Sequence, residues 1–274
     1  MTAVLQAGDS LAADDRAFLY GDGLFETLVA REGVLLWPEL HESRLREGLR
    51  RLGINLDLAA ALDALGSAPE AGRYLVIRLT ASRGGGPRGY APALDGAGRW
   101  YLSARSLDRD PLTPLPPAQV IRSTVVLGSQ PQLAGLKHCN RLEQVLAAQQ
   151  AAQAGADDAL LAGPGGGWHS CSSGNLFVLC GGELLTAPCE NAGIAGTRRQ
   201  LLIEKLAPQL GLRVVFRAPH DTALVDADGA FFCNSVIGIR ALASIDGRAV
   251  RAAPQIAELQ SAYRQLGETC VGSC

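Results

Sequence analysis

Two lysines stand among 274 residues against twenty-three arginines, and one of them, Lys137, lies in the glycine-led segment Gly135-Leu136-Lys137-His138-Cys139-Asn140-Arg141-Leu142-Glu143. A lysine ammonium can lose its proton in a dry setting and attack a carbonyl as a neutral amine, which a guanidinium cannot do. Lys137 is therefore the first candidate for a nucleophile that bonds a carbonyl carbon. Coding bias toward arginine also explains the scarcity, so the neighbourhood has to decide. The second lysine, Lys205, sits inside a helical pattern with no comparable setting.

A second kind of chemistry is suggested by Gly193-Ile194-Ala195-Gly196-Thr197-Arg198-Arg199, a glycine turn ahead of a helix. The amides of Thr197 and Arg198 would lack intrahelical partners there, and such an end attracts anions. A phosphate needs further donors; Arg44, Asn234 and Ser235 are the candidates. An amine for an aldehyde and a separate phosphate site together suggest pyridoxal 5'-phosphate. Other motifs are weaker. Gly84-Gly85-Gly86-Pro87-Arg88-Gly89 satisfies a GxGxxG string, but Pro87 and Pro92 do not open a helix, so it reads as a loop rather than a dinucleotide fingerprint. Gly163-Pro164-Gly165-Gly166-Gly167 lacks the Lys-Ser/Thr of a nucleotide loop and reads as a hairpin turn. His169-Ser170-Cys171 raises a cysteine hydrolase as a minor alternative.

The elements around these residues form a mixed α/β set. Ala17 to Tyr20 and Leu24 to Val29 read as two short strands about a glycine turn, and Pro38 to Gly53 reads as an amphipathic helix carrying His41 and Arg44. Strands follow at 74–80 and 100–103, then a Pro-rich linker at 110–118. We expect an N-terminal domain over 1–109 and a C-terminal domain over 119–274 that carries the lysine. Beyond the linker the pattern gives a strand at 119–127, a capping box at Asn140 to Glu143 opening a helix to Ala154, and strands at 159–162, 176–179 and 184–187. A helix at 197–210, strands at 214–216, 230–233 and 241–245, and a helix at 256–266 complete it.

Net charge is −2, the isoelectric point is near 6.1, and no basic run is interleaved with aromatics, which argues against nucleic acid as a partner. No stretch approaches the roughly 18 apolar residues of a membrane span, and no apolar leader precedes Asp9, Asp14 and Asp15, so a soluble cytoplasmic enzyme is expected. Seven cysteines without CxxC pairs and four scattered histidines favour free thiols over disulfides or zinc.

In order and spacing, Asp15-Arg16-Ala17-Phe18, Tyr20-Gly21-Asp22-Gly23-Leu24-Phe25-Glu26-Thr27, His41 with Arg44-Leu45, Lys137, Asn175-Leu176-Phe177 and Gly193 to Gly196 with Arg199 resemble the two-domain fold-type IV pyridoxal-phosphate enzymes, the D-amino-acid aminotransferase-like fold. Ser82-Arg83-Gly84, Arg88-Gly89-Tyr90 and Lys137 to Leu146 resemble the branch that converts 4-amino-4-deoxychorismate to 4-aminobenzoate and pyruvate. The resemblance implies that Lys137 bonds the cofactor and then serves as base and acid. It also implies that Arg44, Gly196, Thr197 and Arg198 hold phosphate with Asn234 or Ser235, that Phe25, Arg88 and Tyr90 contact a small-molecule substrate, and that the chain forms a homodimer. Where the family has a glutamate against the pyridine nitrogen, five residues before the asparagine, this chain has Ser170, which weakens transamination more than elimination. An aminotransferase for D- or branched-chain amino acids and a cofactor-binding relative without turnover are the alternatives.

Overall fold

The alternating apolar runs build two sheets, one in each of two units of a computed structural model that describes residues 2–4, 11–59, 73–87, 89–93 and 96–271. The first unit spans Met1–Pro111 together with Leu136–Asn140, and the second spans Leu112–Gly135 and Arg141–Ser273.

The first unit carries strands β1 (Thr2–Val4), β2 (Gly23–Arg31), β3 (Val34–Leu35), β4 (Tyr74–Ser82) and β5 (Arg99–Ser106), in the order β1-β5-β4-β2-β3. Leu24, Leu28 and Ala30 of β2, with Leu75, Ile77 and Leu79 of β4, pack their inner faces against Leu45 and Leu49 of helix α2 (Pro38–Leu52). The expected strand at Ala17 to Tyr20 is instead a helix, α1 (Arg16–Tyr20). Asp15 caps it by accepting from the Ala17 amide at 2.9 Å, and Gly21 ends it at φ 67°. Five residues bounded by two caps are too few for hydrophobic periodicity to reveal.

The second unit contains β6 (Ala118–Val126), α3 (Leu142–Gln153), β7 (Asp158–Ala162), β8 (Trp168–Cys171), β9 (Asn175–Cys180) and β10 (Glu183–Thr186). A helical run, α4, covers 197–209, with a π turn at Leu202–Leu206. It is followed by β11 (Arg213–Phe216), α5 (Asp221–Val225), β12 (Gly229–Asn234), β13 (Gly238–Ile245), β14 (Arg248–Ala249) and α6 (Pro254–Val271). Strands β9, β12, β13, β6, β7 and β8 each pair with the next, and β8 pairs back to β9 through Ser170 and Asn175, so six strands close a ring. Strands β10 and β11 extend it from β9. Leu160, Leu176, Val178 and Phe232 fill one core of this unit, while Ala147 and Ala151 of α3 pack on Ala159 and Leu161 in another.

Two further expectations are corrected. The lysine segment does not fall with the C-terminal domain: Phe25 N donates to Lys137 O and Cys139 N to Gly23 O, both at 2.9 Å, so residues 137–139 take the edge of β2 that β3 leaves uncovered. The capping box does not form, because tertiary partners outbid the local ones. Asn140 Nδ2 donates to Gly21 O, and Glu143 Oε1 accepts from the Gly128 amide, while Arg141 stands at the helix N-terminus without a side-chain cap.

Candidate active site

In the first unit the fixed backbone of residues 137–139 sets Lys137 beside Phe25, with Nζ 4.3 Å from the ring centroid. Arg78 reaches the same ring, its guanidinium carbon 3.8 Å from that centroid. Sequence reasoning missed Arg78. Strand register explains the meeting: Phe25 lies opposite Thr80 and Thr27 opposite Arg78, so Arg78 is the diagonal neighbour of Phe25 across β2 and β4. Arg78 Nε donates to Thr80 Oγ1 at 3.3 Å, and among the described residues no carboxylate pairs with it.

Arg44 is anchored through a carboxylate. Its Nε and Nη2 donate to Glu26 Oε1 and Oε2 at 2.8 and 2.5 Å, and His41 Nδ1 lies 2.7 Å from Oε2. Glu26 is 2% exposed. Burial alone would raise its pKa, but the Arg44 charge and the bonds from His41 and Arg44 outweigh it and hold the carboxyl at about 2. Of the loop residues expected to meet substrate, Tyr90 is 87% exposed, with its ring edge-on to Tyr20 at 5.5 Å. Arg88 lies outside the described residues.

In the second unit the start of α4 gathers groups suited to an anion. Gly196 precedes Thr197, and a Cβ at Gly196 would overlap Asn175 Oδ1, so only bare backbone fits. Asn175 Nδ2 donates to Ile194 O at 2.8 Å, fastening the turn to β9. Thr197 Oγ1 and Ser235 Oγ are 3.3 Å apart, and Arg198, only 1% exposed, donates from Nε to Tyr263 Oη at 3.2 Å and from Nη1 toward Thr197 Oγ1 at 3.4 Å. Two hydroxyls and a buried guanidinium thus meet at one helix end. Sequence reasoning counted the Arg198 amide but not its side chain. Asn234 does not join them. Its Nδ2 donates to Ser173 O and its Oδ1 accepts from the Val236 and Ile237 amides, so both ends of the side chain are engaged.

Ser170 is buried on β8 opposite Asn175. Its neighbour His169 is tied through Nε2 to Pro188 O at 3.0 Å, and burial, helped by the nearby Arg199 charge, lowers its pKa and keeps it neutral. Burial also raises the Cys171 thiol well above its usual pKa. A buried thiol with a raised pKa argues against a thiolate nucleophile served by His169.

The amino-transferase class IV family model matches residues 23–245. An aminodeoxychorismate lyase of Vibrio harveyi is 32% identical over 84% of this chain and 86% of its own. A putative branched-chain-amino-acid aminotransferase of Methanocaldococcus jannaschii is 30% identical over 86% of this chain and 83% of its own. The solved structure of 4-amino-4-deoxychorismate lyase from Pseudomonas aeruginosa superposes with a TM-score of 0.84 at 32% identity, covering 95% of this chain and 96% of that one.

Proposed function

We propose, given that the chain belongs to the amino-transferase class IV family, that it is a pyridoxal 5'-phosphate lyase converting 4-amino-4-deoxychorismate to 4-aminobenzoate and pyruvate. The residues present fit the cofactor. The bare backbone at Gly196 with the Thr197 and Ser235 hydroxyls and the Arg198 guanidinium suits a phosphate, and Lys137 is an amine. Gly196, Thr197, Arg198 and Ser235 would hold its phosphate, and when bound the cofactor supplies an aldehyde for the substrate amine and an electron-accepting ring.

The observation that carries the reading is the meeting of one amine, Lys137, with one cation unpaired to any described carboxylate, Arg78, at the Phe25 ring. Aminodeoxychorismate carries two carboxylates, which Arg78 can meet while the Phe25 face lies along its ring. Lys137 Nζ takes the C4 proton. The C–O bond to the enolpyruvyl group then breaks with its electron pair on oxygen, the ring becomes aromatic, and Lys137 returns the proton to the departing group as pyruvate forms. Aromatisation supplies driving force, so a hydroxyl at Ser170 suffices where transamination would need a carboxylate.

The chain is a homodimer in this reading. Leu142, Val145 and Leu146 are exposed at helical spacing on α3, an apolar strip suited to a second copy. No described helix is long and apolar enough to cross a membrane, and a cytoplasmic site of action is proposed with the rest.

Incubation with chorismate, glutamine and an aminodeoxychorismate synthase should yield 4-aminobenzoate. A 2-oxo acid formed from an amino acid instead would favour the aminotransferase that the 30% identical archaeal relative suggests. Ser170→Glu should raise half-transamination while changing elimination by less than about threefold, a shift under 1 kcal/mol in barrier. A large gain in elimination would refute the role given to Ser170.

A further inference from the structure

The anion site of the second unit is assembled from two separate stretches of chain. The start of α4 brings Thr197 and Arg198, and the turn between β12 and β13 brings Ser235. Thr197 and Ser235 lie 38 positions apart in sequence, and their hydroxyls meet at 3.3 Å.

One residue of α6 touches both stretches. Arg198 Nε donates to Tyr263 Oη at 3.2 Å. The ring of the same tyrosine lies against Gly238, where the Ser235 turn ends: a Cβ there would come within 2.9 Å of Tyr263 Cε1 and 3.5 Å of Cδ1 and Cζ. Gly238 stands at φ 65°, so this end of the turn needs glycine both for its conformation and for the room it leaves the ring. The other end is braced by Asn234 Oδ1, which accepts from the Val236 and Ile237 amides, each at 2.9 Å. Arg198 Nη1 reaches Thr197 Oγ1 at 3.4 Å. The contacts thus run in a closed circuit, from the Tyr263 hydroxyl through Arg198, Thr197 and Ser235 to Gly238 and back to the Tyr263 ring.

Helix α6 seats this tyrosine firmly. Gln260, one turn earlier on the same face, donates from Nε2 to Ile239 O at 3.0 Å, and Ile256 packs on Gly229 at the start of β12. Tyr263 is 3% exposed. An arginine stem is long and loses much rotamer freedom when it is held, whereas tyrosine has only two side-chain torsions to fix. A phenol oxygen also accepts the bond without cancelling the guanidinium charge, which is what an anion site requires.

We propose that Tyr263 is the positioning residue of the phosphate site: its hydroxyl aims Arg198 and its ring sets the turn that carries Ser235, so that both come to one anion. The proposal rests on the reading that the start of α4 takes the phosphate of the cofactor.

The test measures binding of pyridoxal 5'-phosphate and of pyridoxal, which lacks the phosphate, to the full chain stripped of cofactor, through the absorbance of the bound aldehyde. The dissociation constant for pyridoxal divided by that for pyridoxal 5'-phosphate reads the phosphate alone. Arg198→Met should lower this ratio about thirtyfold. Tyr263→Phe keeps the ring on Gly238 and loses only the hydroxyl; it should lower the ratio about tenfold, with pyridoxal affinity within about twofold of the parent. Adding Tyr263→Phe to Arg198→Met should change the ratio by less than about twofold, because the tyrosine acts through the arginine.

A tyrosine with a merely structural role would weaken both ligands together or neither. Either result, with Arg198→Met still lowering the ratio, would overturn the role of Tyr263 and leave the phosphate site standing, as would independent losses in the double variant. A parent-like ratio in Arg198→Met would remove Arg198 from the site, and the proposal with it. A parent that binds the two ligands alike has no phosphate site, which refutes the reading beneath the proposal. Should Tyr263→Phe fail to fold, Arg198→Lys carries the test: it keeps a cation but loses the Nε that the phenol holds, so it should lose most of the ratio, and a parent-like ratio would overturn the proposal.

Discussion

Glu26 with Arg44 and His41, and Asp22 with Arg16 and Arg83, show how the first unit holds its functional groups: each arginine is aimed by a carboxylate, buried at Glu26 and partly buried at Asp22. At the start of α4 in the second unit, a bare glycine, two hydroxyls and the Arg198 guanidinium bonded to Tyr263 do the corresponding work. Its buried histidine is held neutral. Ion pairs tolerate small shifts of backbone but fail when one charge is removed. Close backbone approach behaves the other way, indifferent to charge and intolerant of one added methyl. The two units should therefore break under different insults.

The largest effect is expected where charge is kept and chemistry removed. Lys137→Arg retains a cation beside Phe25, yet should lower 4-aminobenzoate formation by at least about a thousandfold, because a guanidinium neither bonds a carbonyl nor exchanges a proton near neutral pH. Its thermal midpoint should stay within a few degrees of the parent, since the main chain of residues 137–139 makes the contacts to β2.

Next comes loss of a single charge in the first unit. Glu26→Gln strands Arg44 beside an uncharged partner, which should cost about 3–5 kcal/mol in urea unfolding. The parent has a matching acid limb. The folded pKa of Glu26, about 2, lies below its ordinary 4.5, so its contribution is complete above pH 4.5 and is lost as pH falls toward 2. The loss is on the order of 3 kcal/mol. A Glu26→Gln variant with the same acid limb as the parent would show that the pair does not anchor the unit.

In the second unit the corresponding change is steric. Gly196→Ala should destabilise by about 1–3 kcal/mol and weaken binding of inorganic phosphate, because its Cβ meets Asn175 Oδ1. A parent-like midpoint would mean that the turn has slack. The smallest effect concerns His169. Its folded pKa is below the ordinary 6.5, so the stability it contributes is present above pH 6.5 and declines as pH falls through that value toward the lowered one. Protection of the β8 amides against hydrogen exchange, relative to their intrinsic rates, should fall between pH 7 and 5 while that of β2 does not; an equal fall in both strands would erase the distinction between the units.

Much of this was legible in the chain and some was not, for reasons that differ by residue. Lys137 stood out because a rare side chain occupies a setting that arginine cannot serve. Most strands of both sheets announce themselves as short apolar runs, whereas β8 is four residues of Trp, His, Ser and Cys behind a glycine run, and β1, β3 and β14 are only two or three residues long. Arg78 was invisible because its meeting with Phe25 depends on the register between β2 and β4, which local pattern does not specify. The capping box failed because Gly21 O and the Gly128 amide, both distant in sequence, offer partners that a local motif cannot anticipate. A linear reading of the Pro-rich linker could not show that residues 136–140 return to the first unit.

That return bears on how the chain is made. The first unit draws its last stretch of backbone from residues 137–139, twenty-five and more positions after its main segment ends at Pro111. During synthesis at about 5–20 residues per second, its sheet waits with the edge at Gly23 to Phe25 uncovered until that stretch emerges. The carbonyl-bonding amine is therefore delivered by the same event that finishes the sheet, and a nascent chain halted before residue 140 would display a nearly complete unit with neither its edge closed nor its nucleophile in place.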